Sequence, residues 1–295
     1  MLAEALLPEN TKIMATLPAI GIQGEKISKP SLFPPNLMLE LLARGLLVAL
    51  WLLWSKVYPP FIRIVQPRDW QLYAFPYTPN TVDHELMLVV VCVLFGAVVF
   101  SCNTIMCHRL RERWNSVAIV NDAVNSMLGF TFAIAAAEVV VSVIKINYGR
   151  PRPDFLSRCF PNKVYDGSEP PFYPTSGVPV CDEAADHFVV LEGRKSFPSG
   201  HTTAAFSSAI FTALYVAHNM PRMVRLQNVL LGKLCTGLLA LLPAIFVGVS
   251  RTFDYRHHVE DVVVGALIGT GSAMLGREYL TREFMDVATE KAIQM

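Results

Sequence analysis

The sequence predicts an all-α integral membrane protein whose six transmembrane helices form a bundle. Two observations support this fold class. Of the 295 residues, 53% are hydrophobic and only 17% are charged, whereas a soluble domain normally carries about 25% charged residues. The apolar residues also cluster into long runs that approach the roughly 20 residues a helix needs to cross a bilayer. The net charge of +1 gives no reason to expect a nucleic-acid partner.

Six apolar runs qualify as membrane spans by hydropathy and length. The fourth and sixth runs are short and rich in Ala, Gly, Ser and Thr, a composition that suits helices packed closely inside a bundle. No basic segment of the kind that opens a secretory signal peptide precedes the first run, so we expect a retained span there. The predicted spans are residues 37–57, 86–107, 123–145, 202–218, 229–249 and 259–276.

The predicted spans divide the chain into a membrane domain and two terminal segments. The membrane domain covers residues 36–277, the N-terminal segment covers residues 1–35, and the C-terminal tail covers residues 278–295. Because the number of spans is even, both termini lie on the same face of the membrane. No internal repeat or low-complexity tract indicates a further domain.

The distribution of arginine assigns the two faces of the membrane. The short loops 108–120 and 219–228 lie on the same face as the termini, and the positive-inside rule makes this face cytoplasmic. The 58–85 loop, the 146–201 loop and the 250–258 link then face the lumen of the endoplasmic reticulum or another endomembrane, or the outside of the plasma membrane. The basic residues of the two short loops are Arg109, Arg111, Arg113, Arg222 and Arg225.

The two long loops on the opposite face are rich in proline. Proline prevents a continuous helix in the 58–85 loop, while the aromatic residues of that loop suit the membrane interface. The 146–201 loop contains Cys159 and Cys181. These two cysteines can form a disulfide if the loop faces an oxidising compartment; two free thiols are the alternative. No cysteine spacing in the chain resembles a zinc site.

Three charged segments stand at span boundaries on this same face. The third predicted span ends in KINYGRPRPDF, where six residues separate Lys145 from Arg152. The fourth span begins with SFPSGHTTAAF, and the fifth runs into SRTFDYRHHVED. Although far apart in sequence, the three segments can converge in one pocket because the predicted topology brings all of them to one side of the membrane.

The residue types in these segments indicate an oxyanion site. Lys145, Arg152 and Arg251 supply cationic donors, and guanidinium groups match the geometry of phosphate. Ser199 and Gly200 directly precede an apolar helix, whose first-turn N–H groups form a ready anion site. The glycine also lets the backbone approach a ligand closely.

Two histidines supply the chemistry that such a site needs. His257 and Asp261 stand four residues apart, which places them on one helix face if the helix has begun there. Asp261 can accept a hydrogen bond from Nδ1 of His257 and leave Nε2 as a nucleophile. His201 is the remaining group able to protonate a leaving oxygen. His258 has no acid at the same spacing, so we predict that it is an interfacial polar residue.

Two further positions carry predictions. Arg150 competes with Arg152 for the anion, and the spacing from Lys145 favours Arg152. Glu138 lies inside the third predicted span, where acidic residues usually pair and often serve function. We therefore predict that Glu138 partners a basic residue of the site. No acidic cluster is placed to hold magnesium, so neither a metal nor another cofactor is expected.

In this order, Lys-x6-Arg-Pro, Pro-Ser-Gly-His and Ser-Arg-x5-His-x3-Asp resemble the motifs of the type 2 phosphatidic acid phosphatase (lipid phosphate phosphatase) superfamily. The resemblance covers residues 145–261 by motif and the six-span layout by architecture. The runs EGRKSFPSGH and SRTFDYRHHVEDV look most like the branch that acts on diacylglycerol pyrophosphate and phosphatidate. The resemblance therefore implies a membrane enzyme that removes phosphate from a lipid without a metal.

The resemblance also implies a role for each residue. His257 would attack phosphorus and form a phosphohistidine with Asp261 as its partner, and His201 would protonate the leaving oxygen. Two alternatives remain open: a superfamily member with another phosphorylated substrate or a head-group transferase activity, and a non-catalytic scaffold or transporter. We expect lipid phosphate and membrane lipids as partners, and the sequence leaves homo-oligomerisation open. The residues implied to hold the phosphate are Lys145, Arg152, Ser199, Gly200 and Arg251.

Overall fold

The structure, a computed structural model, describes residues 37–109, 116–163, 178, 180–224 and 229–293. Within these ranges the side chains of residues 67–68, 116–119 and 279–293 are not described. The predicted N-terminal segment lies outside the described residues, and so do Arg111, Arg113 and Arg225, on which part of the topology prediction depends.

Every regular element in the described part of the chain is a helix. Short 3-10 and π-helical segments accompany the α-helices: a π-helical turn, Leu53–Val57, extends the first α-helix, and a 3-10 helix, Pro67–Tyr73, follows it. The α-helices are α1 Leu37–Leu52, α2 His84–Arg109, α3 Ser116–Tyr148, α4 Phe155–Cys159, α5 His187–Glu192, α6 Gly200–Met223, α7 Val229–Phe253 and α8 Val259–Ile293.

Six long helices stand where the sequence predicts spans, and the all-helical membrane architecture is confirmed. Five helical stretches in the described residues are long and apolar enough to cross a membrane: those of α1, α2, α3, α7 and α8. Helix α6 has 24 residues but is not among these five, in keeping with its histidine, serine and threonine residues. The count of six spans therefore stays a prediction.

Helix α6 lies among other helices, since it packs against α2, α3, α7 and α8. It packs closely against α8, where Gly265 and Gly269 face its first turns. A Cβ on Gly265 would lie 2.6 Å from the carbonyl oxygen of Ser199, and one on Gly269 would overlap the carbonyl oxygen of Thr203. Small residues four apart allow helix backbones to approach this closely. The packing of α8 thus fixes the position of the α6 N-terminus.

The loops at this end of the bundle are tied to the helix ends. The backbone N–H of Phe61 donates to the carbonyl of Ile146 (2.7 Å), next to the end of α3. Cys159, the last residue of α4, forms a disulfide with Cys181, which confirms the pairing over the alternative of two free thiols.

The C-terminal part of the chain is helical further than the sequence indicates. The last predicted span ends at residue 276, whereas α8 continues to Ile293. Residues 278–293, which the sequence assigns to a tail, therefore extend the final helix. The apolar stretch long enough for a span ends at Glu278, so the sequence pattern located the membrane segment but not the end of the helix.

Candidate active site

The three charged segments of the sequence meet at one end of the helix bundle. Helix α3 ends at Tyr148, and Gly149 follows with a φ of 59°, a left-handed conformation that glycine adopts without steric cost. The backbone N–H of Ser199 donates to the carbonyl of Asp261 (3.0 Å). Nη1 of Arg152 donates to the carbonyl of Arg256 (3.4 Å). These contacts join the end of α3, the start of α6 and the link between α7 and α8.

The N-terminus of α6 lies against the end of α3. Ser199 is the N-cap, and its Oγ accepts a hydrogen bond from the backbone N–H of Thr202, as capping serines commonly do. Gly200 is the first helical residue, and Nζ of Lys145 lies 3.3 Å from the place that a Cβ on Gly200 would occupy. An ammonium group therefore stands beside helix N–H groups that themselves favour an anion.

Asp261 is the centre of a hydrogen-bond network in the first turn of α8. Its Oδ1 accepts from Nη1 of Arg150 at 2.6 Å, and its Oδ2 accepts from Oγ of Ser196 at 2.5 Å. The backbone N–H of His258 also donates to Oδ2 (3.0 Å). Nδ1 of His257 lies 3.7 Å from Oδ2, which is longer than a hydrogen bond. Asp261 thus faces His257, as the spacing predicts, while it is bonded to Arg150 and Ser196.

His257 is almost fully buried, with 2% of its surface exposed. Its backbone N–H donates to the carbonyl of Arg251 (3.1 Å), and Nδ1 has no hydrogen-bond partner among the described residues. Burial first, and then the positive charges of Arg152 and Lys145, lower the pKa of His257 to about 3, although the Asp261 carboxylate acts in the opposite direction. The ring is therefore uncharged at neutral pH, as a nitrogen nucleophile must be.

His201 stands one residue into α6, on the same end of the bundle. Its Nε2 lies 3.2 Å from the carbonyl oxygen of Val82, in the loop that precedes α2. Its ring also contacts the ring of His84, with 4.7 Å between the centroids. The structure thus places the predicted proton donor at the N-terminus of α6, held by a segment that none of the sequence motifs includes.

The two arginines predicted to bind the anion are held by polar partners. Nε of Arg152 donates to the carbonyl of Glu192 (2.8 Å). Burial lowers the pKa of Arg152 to about 10, so the guanidinium keeps its charge at neutral pH. Arg251 is fully buried, and its Nη2 lies 2.6 Å from Oδ2 of Asp254. Both side chains are fixed cations beside the histidines.

Arg150 and His258 have contacts of a different kind. Besides its bond to Asp261, Arg150 lies 3.5 Å from the Glu260 carboxylate, so its guanidinium is engaged by two acids of α8. Nε2 of His258 lies 3.3 Å from the carbonyl oxygen of Pro151, and burial together with the charge of Arg150 lowers its pKa. These contacts agree with the preference for Arg152 and His257, whose roles stay predictions.

Sequence reasoning missed three residues of this region. Ser196 stands inside the quoted SFPSGH run, but nothing in its spacing points to Asp261. Asp254 follows Arg251 by three residues, and this helical spacing could have indicated the pair. His84 carries no sequence signal, because only the packing of α2 beside α6 brings it to His201. Among the described residues, no group of three His, Cys, Asp or Glu side chains could hold a metal ion.

The fold and the site define a class of protein: a membrane-embedded helical bundle with two histidines and several cations at one end. Comparison with protein families places the chain further, since the PAP2 superfamily matches residues 126–284. The chain belongs to the PAP2 superfamily, in agreement with the resemblance of its motifs. No solved structure matches this chain.

Curated relatives lie in the same branch that the motifs indicate. The chain is 38% identical to lipid phosphate phosphatase 1 of Arabidopsis thaliana over 72% of its own length and 58% of that protein. It is 36% identical to lipid phosphate phosphatase 2 of the same plant, over 72% of its own length and 67% of that protein. Probable diacylglycerol pyrophosphate phosphatase 1 of Schizosaccharomyces pombe is 37% identical over 49% of each chain. The chain thus covers less than two thirds of the length of lipid phosphate phosphatase 1.

Proposed function

We propose that this protein is a magnesium-independent lipid phosphate phosphatase that acts on phosphatidate, diacylglycerol pyrophosphate or lysophosphatidate-type phosphomonoesters. The observation that carries the proposal is the meeting of His257, His201 and the cations of three separate segments at the N-terminus of α6. The names of the relatives support a lipid phosphate as substrate. A site at the end of the bundle suits a lipid whose phosphate reaches water while its acyl chains stay in the bilayer.

The first half of the proposed reaction transfers phosphate to the enzyme. Nε2 of His257 attacks phosphorus and forms an N–P bond, while the bond from phosphorus to the lipid oxygen breaks. The electron pair of that bond goes to the lipid oxygen, which takes a proton from His201. Asp261 stabilises the positive charge that develops on the His257 ring. Loss of the dephosphorylated lipid leaves a phosphohistidine.

The second half returns the enzyme to its starting state. A water oxygen attacks phosphorus, the N–P bond breaks, and its electron pair returns to Nε2 of His257. His201 takes the proton of the attacking water and is ready for the next turnover, and inorganic phosphate leaves. Fixed donors hold the equatorial oxygens of phosphate in both halves, where charge moves in the transition state. We assign this role to Lys145, Arg152, Arg251, the backbone and side chain of Ser199, and the backbone of Gly200.

The test is phosphate release by the purified protein in detergent micelles with EDTA present, across a panel of lipid phosphates. The wild type should release inorganic phosphate from at least one lipid. His257→Ala should lose about a thousandfold or more of kcat, because the mechanism then has no nucleophile. The neighbouring variant His258→Ala should lose far less, since that ring binds a backbone carbonyl.

Three outcomes would contradict the proposal. If His257→Ala keeps most of its activity, the phosphohistidine mechanism is wrong. If EDTA abolishes the wild-type activity and magnesium restores it, the reaction depends on a metal. If the phosphate appears on an acceptor lipid or comes mainly from a water-soluble ester, the protein is a head-group transferase or acts on another class of substrate.

A further inference from the structure

His84 and Glu138 lie beside His201 although neither residue belongs to the charged segments of the sequence. His84 is the first residue of α2, and Glu138 is a buried residue of α3. The ring centroids of His84 and His201 are 4.7 Å apart, with an angle of 60° between the planes. Nε2 of His84 is 3.5 Å from Oε1 of Glu138. The three side chains therefore form a contiguous row across α3, α2 and α6.

The atoms that face each other in this row are buried and have no other partner. Neither Nε2 of His84 nor Oε1 of Glu138 has a hydrogen-bond partner among the described residues. Buried polar atoms without partners are uncommon in proteins, and each one calls for an explanation. The other end of the row is fixed as well, because Nε2 of His201 lies 3.2 Å from the carbonyl of Val82. Since a carbonyl only accepts, this nitrogen carries a hydrogen.

The charges around His201 explain why a carboxylate is needed here. The groups that act on its ring include His84 from α2, Lys145 from α3, Arg251 from α7 and His257 from the following link. Burial of the ring and the charges of Arg251 and Lys145 disfavour the protonated form of His201, and the two histidines add to this effect only when they are themselves protonated.

The carboxylates of the site are not equally available to oppose these cations. Asp254 is paired with Arg251 at 2.6 Å, and Asp261 is paired with Arg150 at 2.6 Å. Glu138 instead faces the start of α6 together with Lys145: its Oε2 lies 3.7 Å, and Nζ of Lys145 lies 3.3 Å, from the place of a Cβ on Gly200, at the positive end of the helix, where a negative charge is favourable.

We propose that Glu138 and His84 are positioning residues that hold His201 in its protonated, proton-donating form. This inference rests on the proposed phosphatase function. Glu138 supplies the negative charge that opposes the surrounding cations. The ring of His84 contacts both Glu138 of α3 and the ring of His201, and so connects the two. When the bond between phosphorus and the lipid oxygen breaks, the proton of His201 goes to that oxygen. In the second half of the reaction His201 takes up the proton of the attacking water. Glu138 and His84 therefore support the same ring in both halves.

The experiment compares two leaving groups. An alkoxide leaving group, as in dioctanoyl phosphatidate, needs a proton, whereas the nitrophenolate of p-nitrophenyl phosphate leaves without one. The variants Glu138→Gln and His84→Gln are measured with both substrates in the same detergent and buffer, as purified full-length protein. We expect kcat for phosphatidate to fall about tenfold or more, within the range that general acid catalysis contributes. For p-nitrophenyl phosphate we expect a change of less than about threefold. His201→Gln should give the same selective pattern.

The control is His187→Gln. His187 is the exposed first residue of α5 and follows an aspartate N-cap, as His84 follows Asp83. It differs from His84 in belonging to the 146–201 loop and not to α2. This variant should keep the wild-type rates on both substrates. Because the readout is a ratio of two rates from one preparation, a variant that folds in lower yield still gives a valid result, and the two substitutions on separate helices test the pair independently.

The results distinguish the inference from the function on which it rests. Equal losses on both substrates, or no loss on either, would overturn the positioning role while an active wild type leaves the phosphatase proposal standing. A wild type that hydrolyses neither substrate would overturn the proposed function, and the inference with it.

Discussion

His257 combines two properties at the scale of a single residue: it is buried, and it is the proposed nucleophile. Burial lowers its pKa to about 3, so protonation does not compete with attack on phosphorus in the neutral range. The same shift affects stability. Below about pH 6.5 the unfolded chain takes up a proton at this histidine that the folded protein does not, so the free energy of unfolding falls as the pH falls.

A titration of the histidine ring tests this electrostatic environment. We expect the ring resonances of His257 to stay unchanged between about pH 5 and 8, the interval in which an ordinary histidine changes charge. The measurement is NMR of histidine-labelled protein in micelles, with His257→Ala to assign the resonance and free histidine in the same buffer as a reference. A midpoint for His257 at about 6.5, the value of an unperturbed histidine, would show that the ring is not desolvated as the structure describes.

The pairing of α8 with α6 determines the site at the scale of secondary-structure elements. Gly265 and Gly269 face the backbone of α6, and Asp261 lies one turn before Gly265 on the same helix. Ser199 and His201 lie in the facing part of α6. The two halves of the site are therefore held at their separation by glycines that touch no proposed substrate group.

Alanine substitution at these glycines should separate the two helices. We expect Gly269→Ala to destabilise the protein by about 1–3 kcal/mol, the usual cost of overpacking, and to lower the rate of phosphate release at least about tenfold, since small displacements of catalytic groups are costly. Gly271→Ala in the same helix is the matched control, because a Cβ there meets nothing within 4 Å. The measurements are thermal unfolding in detergent and phosphate release. Equal behaviour of the two variants would contradict the close-packing argument.

At the scale of the whole molecule, the long helices and the meeting of the charged segments could be predicted from sequence. Apolar runs locate membrane helices because a bilayer requires helices of a certain length and an apolar composition. Two predicted spans separate the 146–201 loop from the 250–258 link, so the three charged segments are expected on one face. The short helices α4 and α5 could not be predicted, since proline-rich loops have no periodic pattern. The contact of His84 with His201 was also beyond prediction, because tertiary packing alone creates it.

The orientation of the molecule in the membrane is supported by two independent features. The short loops predicted to be cytoplasmic carry arginine, of which Arg109 and Arg222 are described. The opposite loop contains the Cys159–Cys181 disulfide, and disulfides persist in oxidising compartments. Both features agree with the prediction that the proposed active site faces the lumen or the outside and that the termini are cytoplasmic.

Glycosylation can test this orientation, because the chain contains no Asn-x-Ser/Thr acceptor of its own. Val164→Thr completes an acceptor at Asn162, whose side chain is exposed, and Lys12→Thr completes one at Asn10 in the N-terminal segment. When each variant is translated into endoplasmic reticulum microsomes, we expect the first to gain a glycan that an endoglycosidase removes and the second to gain none. The opposite pattern would invert the topology, and modification at both positions would show an even number of spans between them instead of the predicted three. The opposite pattern would contradict the arrangement in which water and the lipid phosphate reach His257 from the lumenal side, and modification at both positions would contradict the cytoplasmic N-terminus.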